Sequence, residues 1–457
     1  MSASHWALSC AFVSLALSSH NPAQEAPPQV AGRYAVLLRT DDAAQTRFLE
    51  ELGELRRARA EAGLAARIEA RRAELLPRQA ALAAHVAGRG AAVIQHGWLL
   101  DMVIVDGVTE PLRAELAGRA DVLAVQPIER RAPSLAKAMD ASHHEGYAAH
   151  ALSIGGVPLE GGGQTIAILD TGLDLNMGGT GRPHAAFFAN GDPLDPSGGG
   201  IGGSRVASAV HVPYNPQTTS AEDLHGHGTR IASCAAGAAW AALPDVGDAS
   251  APAATIKVFK IADDSAQFFG LTTADGLFSQ LQKIVAQPDI FVANLSYDGW
   301  NDPVYFINPT MDAVVLAGVS MTASAGNYGV NLDFAHASYN VLVVGGSEAT
   351  AFKPALFPFL SAVGPLPDGR RYPQLIAQGV AVTCARFDDE STAVDSNGCS
   401  AASAIVAGSL ALLHQADPTL KPREARALLL NTTAKTTGNP NASGWGYLKI
   451  LPAVQAA

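Results

Sequence analysis

Apolar and polar positions fall into two textures along this chain, and the texture changes near residue 130. The run Tyr34-Ala35-Val36-Leu37-Leu38 reads as a strand. From about Ala43 to Val86 the chain is built of Ala, Arg, Glu and Leu with few β-branched residues, a helix-forming mixture that Pro77 should break or kink. Ala91–Ile94 and Trp98–Val105 read as two further strands. A helix follows Thr109, with Pro111 tolerated in its first turn, and Val122–Val125 reads as a last strand. This β-α-β-β-α-β order predicts a small α+β domain of ferredoxin-like type at 33–130.

Residues 131–164 read as exposed, with Arg130-Arg131 at one end and Gly161-Gly162-Gly163 at the other. Beyond them short, wholly apolar runs alternate with helical stretches: Thr165–Leu169, Thr255–Phe259, Ile290–Ala293, Val319–Ala323 and Val341–Val344. Strands covered on both faces read this way, so an α/β fold is expected: a doubly wound, mainly parallel sheet with helices on both faces. Residues 190–204, rich in Gly, Pro and Asp, read as a loop.

Length and charge narrow the function. The chain has 457 residues, 48% of them hydrophobic, and a net charge of -11. That is enough for two or three domains, without the basic face that nucleic acid would need. Residues 1–139 hold 16 Lys and Arg against 15 Asp and Glu, whereas 140–457 hold 15 against 27. No apolar stretch is long enough for a transmembrane segment. The short run Trp6–Leu17, followed by Ser18-Ser19-His20-Asn21-Pro22-Ala23, resembles the apolar region and cleavage zone of a signal peptide over 1–24, although no Lys or Arg precedes it. A secreted, extracytoplasmic protein is expected.

Four positions could carry chemistry. Asp170 closes the run Ile166-Ala167-Ile168-Leu169 and precedes Thr171-Gly172, so a strand would aim its carboxylate. A turn or cap aspartate is the plain alternative. An aspartic protease is the sharper one, but it needs a second such carboxylate, and Asp395-Ser396-Asn397 does not supply it. His227, in Asp223-Leu224-His225-Gly226-His227-Gly228-Thr229, would open a helix of small residues; a surface histidine is the plain reading, and no third ligand accompanies His225 and His227 for a metal. Ser400 stands at the start of an apolar helix, where a cap is common and a nucleophile gains from backbone N–H groups. Asn327 sits in Ala325-Gly326-Asn327, just after an apolar strand; a turn asparagine is the plain reading.

In the order Asp…His…Asn…Ser these segments resemble the subtilisin-like serine proteases. The likeness rests on Ile168-Leu169-Asp170-Thr171-Gly172, His227-Gly228-Thr229, Asn294-Leu295-Ser296, Ala325-Gly326-Asn327 and Gly398-Cys399-Ser400, with Val406-Ala407-Gly408 and Gly444-Trp445-Gly446-Tyr447 beyond. The resemblance implies a catalytic domain at 151–457 that hydrolyses peptide or protein substrates. It assigns Ser400 as nucleophile, His227 as base, Asp170 as its partner and Asn327 as oxyanion donor. It also implies substrate backbone along Ser296-Tyr297-Asp298, with Ser324-Ala325-Gly326 as the other wall of the specificity pocket. Residues 33–130 would be the family's inhibitory propeptide, and 131–150 a linker and maturation zone. The chain departs from the family at Arg230, Cys399, Ala404 and Gln378, none of which removes a proton-transfer group. The alternative is a catalytically silent, peptide-binding relative.

No cofactor is required. Asp192 and Asp195 in the loop could hold calcium, but a solvated acidic loop is the plain reading. Cys10 would leave with the leader. Cys384 and Cys399 flank a stretch that the family runs as a hairpin, so either a disulfide there or two separate buried thiols is expected, with Cys234 free.

Overall fold

The computed structural model describes residues 32–41, 43–45, 47–48, 51, 61–98, 101–127, 138–176, 179–212, 218–264, 272, 274–333, 335–348, 353–355, 359–436 and 438–457. The expected leader, 1–24, with Cys10 lies outside them. The chain divides into two compact units, Met1–Arg130 and Arg131–Ala457.

In the first unit the elements run β1 (Gly32–Leu38), α1 (Glu61–Ala87), β2 (Ala92–His96), β3 (Met102–Val108), α2 (Glu110–Ala117) and β4 (Val122–Pro127). The four strands pair antiparallel in the order β2-β3-β1-β4, as the ferredoxin-like expectation requires. Tyr34, Val36 and Leu38 alternate inward and meet Leu82 and Val86 of α1 and Leu112 and Leu116 of α2. Two expectations need correction. First, α1 runs on through Pro77. Leu75 before it and Leu82 and Val86 after it are all buried, so tertiary packing outweighs the roughly 3 kcal/mol that an internal proline costs. Second, β3 starts at Met102, not Trp98. Gly97 N–H donates to the Met102 carbonyl at 2.8 Å, while Gln79 Nε2 holds both Gly97 O at 2.8 Å and buried Asp101 at 2.9 Å. The chain therefore turns between β2 and β3 at the place where a strand was expected.

The second unit is built on β5 (Thr165–Asp170), β6 (Val206–His211), β7 (Thr255–Lys260), β8 (Ile290–Leu295), β9 (Ser320–Ser324), β10 (Leu342–Ser347) and β11 (Leu375–Gln378). They form one parallel sheet of seven strands, ordered β11-β10-β9-β8-β5-β7-β6. The chain enters at β5, passes to the edge strand β6, comes back to β7 between β6 and β5, then crosses to β8 on the other side of β5, which is the doubly wound fold. Each strand feeds both faces: Ile166 and Ile168 of β5 belong to one core, and Ala167 and Leu169 to the other. On the first face lie α4 (His227–Ala236), α7 (Cys399–Ala416) and α8 (Pro422–Asn431); on the second lie α5 (Ala274–Val285) and α6 (Ile307–Leu316). Cys399–Ala416 is apolar and long enough to cross a membrane, but 89% of it is buried inside the protein, which makes it the central core helix.

The exposed stretch expected at 131–164 is corrected over 138–150, while 131–137 lie outside the described residues. Ala138, Met139 and Ala149 are buried in the first-face core, next to and within α3 (Gly146–His150). His144 stacks on Tyr447 with ring centroids 4.5 Å apart. Its Nδ1–H donates to Leu448 O at 3.0 Å, and its Nε2 accepts Gln378 N–H at 3.1 Å. Residues 138–150 are thus part of the second unit. The alanines and histidines that read as surface composition are small or hydrogen-bonded enough to pack inside.

Burial keeps three histidines neutral. It lowers the pKa of His144 to about 3, and those of His184 and His336 to about 4. Unfolding restores an ordinary value near 6.5, so below that pH the unfolded chain binds more protons and stability falls as pH falls towards 4. Glu222 acts the other way, because burial and then its neighbour Asp174 push its carboxyl up to about 7. Burial lowers His414 as well, so the histidines outweigh the one carboxyl. Between pH 7 and pH 5 we expect a net loss of stability, read as a falling urea midpoint. A midpoint that holds or rises on acidification would contradict this account.

Candidate active site

The carboxyl ends of β5 and β8 lie at the point where the sheet's winding reverses, and side chains there face an open crevice. Asp170 is the last residue of β5 and fully buried. Its Oδ1 accepts the Thr171 N–H at 2.8 Å and His227 Nδ1–H at 2.6 Å. His227 is the first residue of α4, with its side chain 20% exposed. The imidazole is therefore held at one nitrogen while its other edge faces the crevice.

Close backbone contact makes this pairing possible. The turn at Gly172 and the start of α4 touch so tightly that a Cβ on Gly228 would lie 2.1 Å from Gly172 O, and one on Gly172 would lie 2.4 Å from Ala221 O. Asp223 locks the two together. Its Oδ1 accepts the Thr171 hydroxyl at 2.8 Å and the N–H groups of His225 at 3.0 Å and Gly226 at 2.7 Å. Its Oδ2 accepts the Thr229 N–H at 2.9 Å and hydroxyl at 2.7 Å. Burial alone would raise its pKa, but these donors overcome that and hold it below the ordinary aspartate value. Thr171 Oγ1 also accepts Gly228 N–H at 2.8 Å.

Ser400 is the second residue of α7 and almost buried. Its hydroxyl donates to Ser296 O at 3.4 Å, and Ser296 Oγ donates back to Ser400 O at 3.1 Å. The next residue, Tyr297, meets the His227 ring edge-on at 6.2 Å, so the 296–297 backbone holds serine and histidine along one side of the crevice. No described hydrogen bond joins His227 to Ser400. Asn294 anchors the whole: it donates to Ser296 Oγ at 2.9 Å and accepts Thr322 at 2.9 Å and Ser403 at 2.7 Å, tying β8, β9 and α7.

Asn327 Oδ1 accepts Cys399 N–H at 2.9 Å, which leaves its Nδ2 as a free-facing donor. A Cβ at Gly398 would lie 3.5 Å from that Nδ2 and 3.7 Å from Ser400 N, so the two donors border the same small space. The expected wall segments also meet. Ser324 Oγ donates to Tyr297 O at 3.2 Å, and the Tyr328 hydroxyl to Asp298 Oδ2 at 3.1 Å. Tyr372, unremarked in the sequence, donates to Ala325 O at 2.8 Å, and buried His336 donates to Tyr297 O at 2.8 Å. Asp223 could have been found from its place four residues before His227. Nothing local marks Tyr372 or His336.

The thiols do not pair as one expectation had them. Cys234, Cys384 and Cys399 are all buried and free. Cys399 Sγ donates to Gly326 O at 3.0 Å, whereas Cys384 Sγ donates to Val394 O at 3.3 Å and lies beside Cys234. The hairpin of β12 (Val382–Ala385) and β13 (Ala393–Ser396) turns Cys384 towards α4, away from the start of α7. In the 190–204 loop, Asp192 and Asp195 accept the N–H groups of Leu194 and Ser197 and cap turns.

Comparison with known proteins follows this geometry. A family model described as "Subtilase family" matches residues 161–446, which include Asp170, Asp223, His227, Asn294, Asn327 and Ser400. Subtilisin Savinase of Lederbergia lenta is 26% identical over 303 residues, covering 65% of this chain and 93% of its own. The M-protease of Shouchella clausii (strain KSM-K16) is 27% identical over 303 residues, covering 65% of this chain and 66% of its own. A solved structure titled "Crystal structure of a cold adapted subtilisin-like serine proteinase" aligns at 22% identity with a TM-score of 0.49, covering 64% of this chain and 90% of that one.

A methyl group added at Gly228 has only backbone to push against. Gly228→Ala should destabilise the fold by about 2 kcal/mol or more and separate His227 from Asp170. Denaturant unfolding and the downfield Nδ1 proton of His227 in NMR read the two effects. An unchanged proton resonance with unchanged stability would mean that the contact tolerates a side chain.

Proposed function

This chain belongs to the subtilase family, the subtilisin-like serine endopeptidases, and from that premise we propose that it is a secreted peptidase acting through an acyl-enzyme on Ser400. The observation that carries the reading is the 2.6 Å contact between buried Asp170 and His227 Nδ1. A carboxylate there fixes the tautomer, leaves Nε2 unprotonated towards the crevice and stabilises the imidazolium once it forms.

In this reading Ser400 Oγ attacks the scissile carbonyl while His227 takes its proton. The tetrahedral oxyanion is held by Asn327 Nδ2 and the Ser400 N–H, in the space beside Gly398. His227 then gives the proton to the leaving amine. Water, deprotonated by the same imidazole, releases the acyl group and restores Ser400. For the attack the Ser400 hydroxyl leaves Ser296 O and donates to His227. Hydrogen bonds of this kind are often long or misaligned before substrate arrives. Substrate backbone lies along Ser296–Asp298, and Ser324–Gly326 form the opposite wall.

A fluorophosphonate that phosphonylates activated serines tests this directly. We expect one label on Ser400 in the mature enzyme, and none in Ser400→Ala, which should stay folded and lose peptide hydrolysis. An unlabelled, inert wild-type protein would favour the silent, peptide-binding alternative.

The first unit is read as an intramolecular inhibitor and folding aid. Its ferredoxin-like sheet lies outside the matched residues; β4 ends at Pro127, and among the described residues core packing of the second unit is seen from Ala138 on. A cut there frees one unit without unpacking the other. N-terminal sequencing of active enzyme should therefore begin between Pro127 and Ala138; a mature end beyond His144 would require the core to open and would count against this boundary.

A further inference from the structure

The two wall segments of the crevice are braced from behind by groups that no local motif announces. His336 is fully buried, and its Nε2–H holds Tyr297 O at 2.8 Å. Its backbone N–H donates to the Tyr372 hydroxyl at 3.2 Å, and that hydroxyl donates to Ala325 O at 2.8 Å. One hydrogen-bonded chain thus runs from the first wall, through His336 and Tyr372, to the second. Ser324 Oγ crosses more directly to the same Tyr297 carbonyl at 3.2 Å. On the second wall, Asn327 is pinned by Cys399 N–H at 2.9 Å. The residues immediately after these fixed points, Asp298 and Tyr328, are therefore held in place by their neighbours.

Asp298 and Tyr328 face each other across the gap, with the hydroxyl donating to Asp298 Oδ2 at 3.1 Å. Asp298 is the one charged residue among the wall residues 296–298 and 324–328. It is exposed at the rim, yet enough protein surrounds its carboxylate that desolvation raises its pKa, and the Tyr328 hydrogen bond only partly opposes this. None of the described ion pairs includes it. A carboxylate that has lost part of its water and gained one neutral donor has unused acceptor capacity. A cationic side chain entering between the walls would supply the missing partner.

Resting on the endopeptidase reading of the crevice, we infer that Asp298 selects substrates with Lys or Arg on the acyl side of the scissile bond. The preorganised brace matters, because a rigid carboxylate loses little entropy when it pairs. The overall negative charge of residues 140–457 would draw any cationic peptide towards the protein, but salt screens that field, whereas a pair formed inside the crevice is screened less.

The test is a set of peptides identical except for Arg, Lys, Leu or Glu before the cleaved bond. We expect kcat/KM for Arg and Lys to exceed that for Leu by about tenfold or more, with Glu lowest. In Asp298→Asn the Arg-to-Leu ratio should fall by a similar factor, while Asp298→Glu should restore it. The substitution changes overall charge by one unit only, so general attraction of cations cannot produce this result. Equal rates for Arg and Leu in wild type, or an unchanged ratio in Asp298→Asn, would overturn the inference while leaving the endopeptidase reading intact. Binding of the Arg and Leu peptides to Ser400→Ala, measured by calorimetry, decides the selectivity separately. Were no peptide cleaved by wild type, the endopeptidase reading would fall, and the binding ratio would still uphold or refute selection by Asp298.

Discussion

The buried carboxylate of Asp223 is the constraint on which the crevice depends. Taking a carboxylate out of water is costly, and the structure offsets that cost with five donors from two segments, the Thr171 turn after β5 and the loop entering α4. Because those donors belong to different elements, satisfying the charge also fixes their separation. That separation is small enough to forbid a side chain at Gly228, and small enough for Asp170 to reach His227. Stability and geometry here come from one interaction.

A second polar hub does the same for the other half of the crevice. Asn294 is fully buried on β8 and uses both ends of its amide, binding β9 through Thr322 and α7 through Ser403, and steadying Ser296. Helix α7 is otherwise mostly apolar and buried. Directional hydrogen bonds from Asn294 and from Asn327 to Cys399 fix its register, and with it the position of Ser400.

The doubly wound sheet explains why such distant residues meet. Asp170 and Ser296 end adjacent strands, β5 and β8, which pair in parallel although more than a hundred residues separate them. Helices α4 and α7 cross the same face and present their first turns at that edge. Small side chains permit this approach: Ala232, Ala235 and Ala236 of α4 share one core with Ala401, Ala404 and Ala407 of α7. Ala404 stands inside α7 as an ordinary helical residue, so the departure from the family pattern there leaves the helix unbroken.

Periodicity alone located all the parallel strands that it named, because strands buried on both faces read as mostly apolar runs. The same logic located the ferredoxin-like elements, and short motifs pointed to Asp170, His227, Asn327 and Ser400 through resemblance. Where the reading failed, local chemistry was ambiguous and a distant partner decided. Pro77 stays helical because residues on either side of it are packed. His144 looks like a surface residue until Leu448, Gln378 and Tyr447 surround it. His336 and Tyr372 brace the crevice from positions with no motif of their own. Composition and spacing record what a segment buries and how often. They do not record which segment it buries against, because that contact forms only when strands far apart in the chain pair, and it is this contact that sets the crevice's walls.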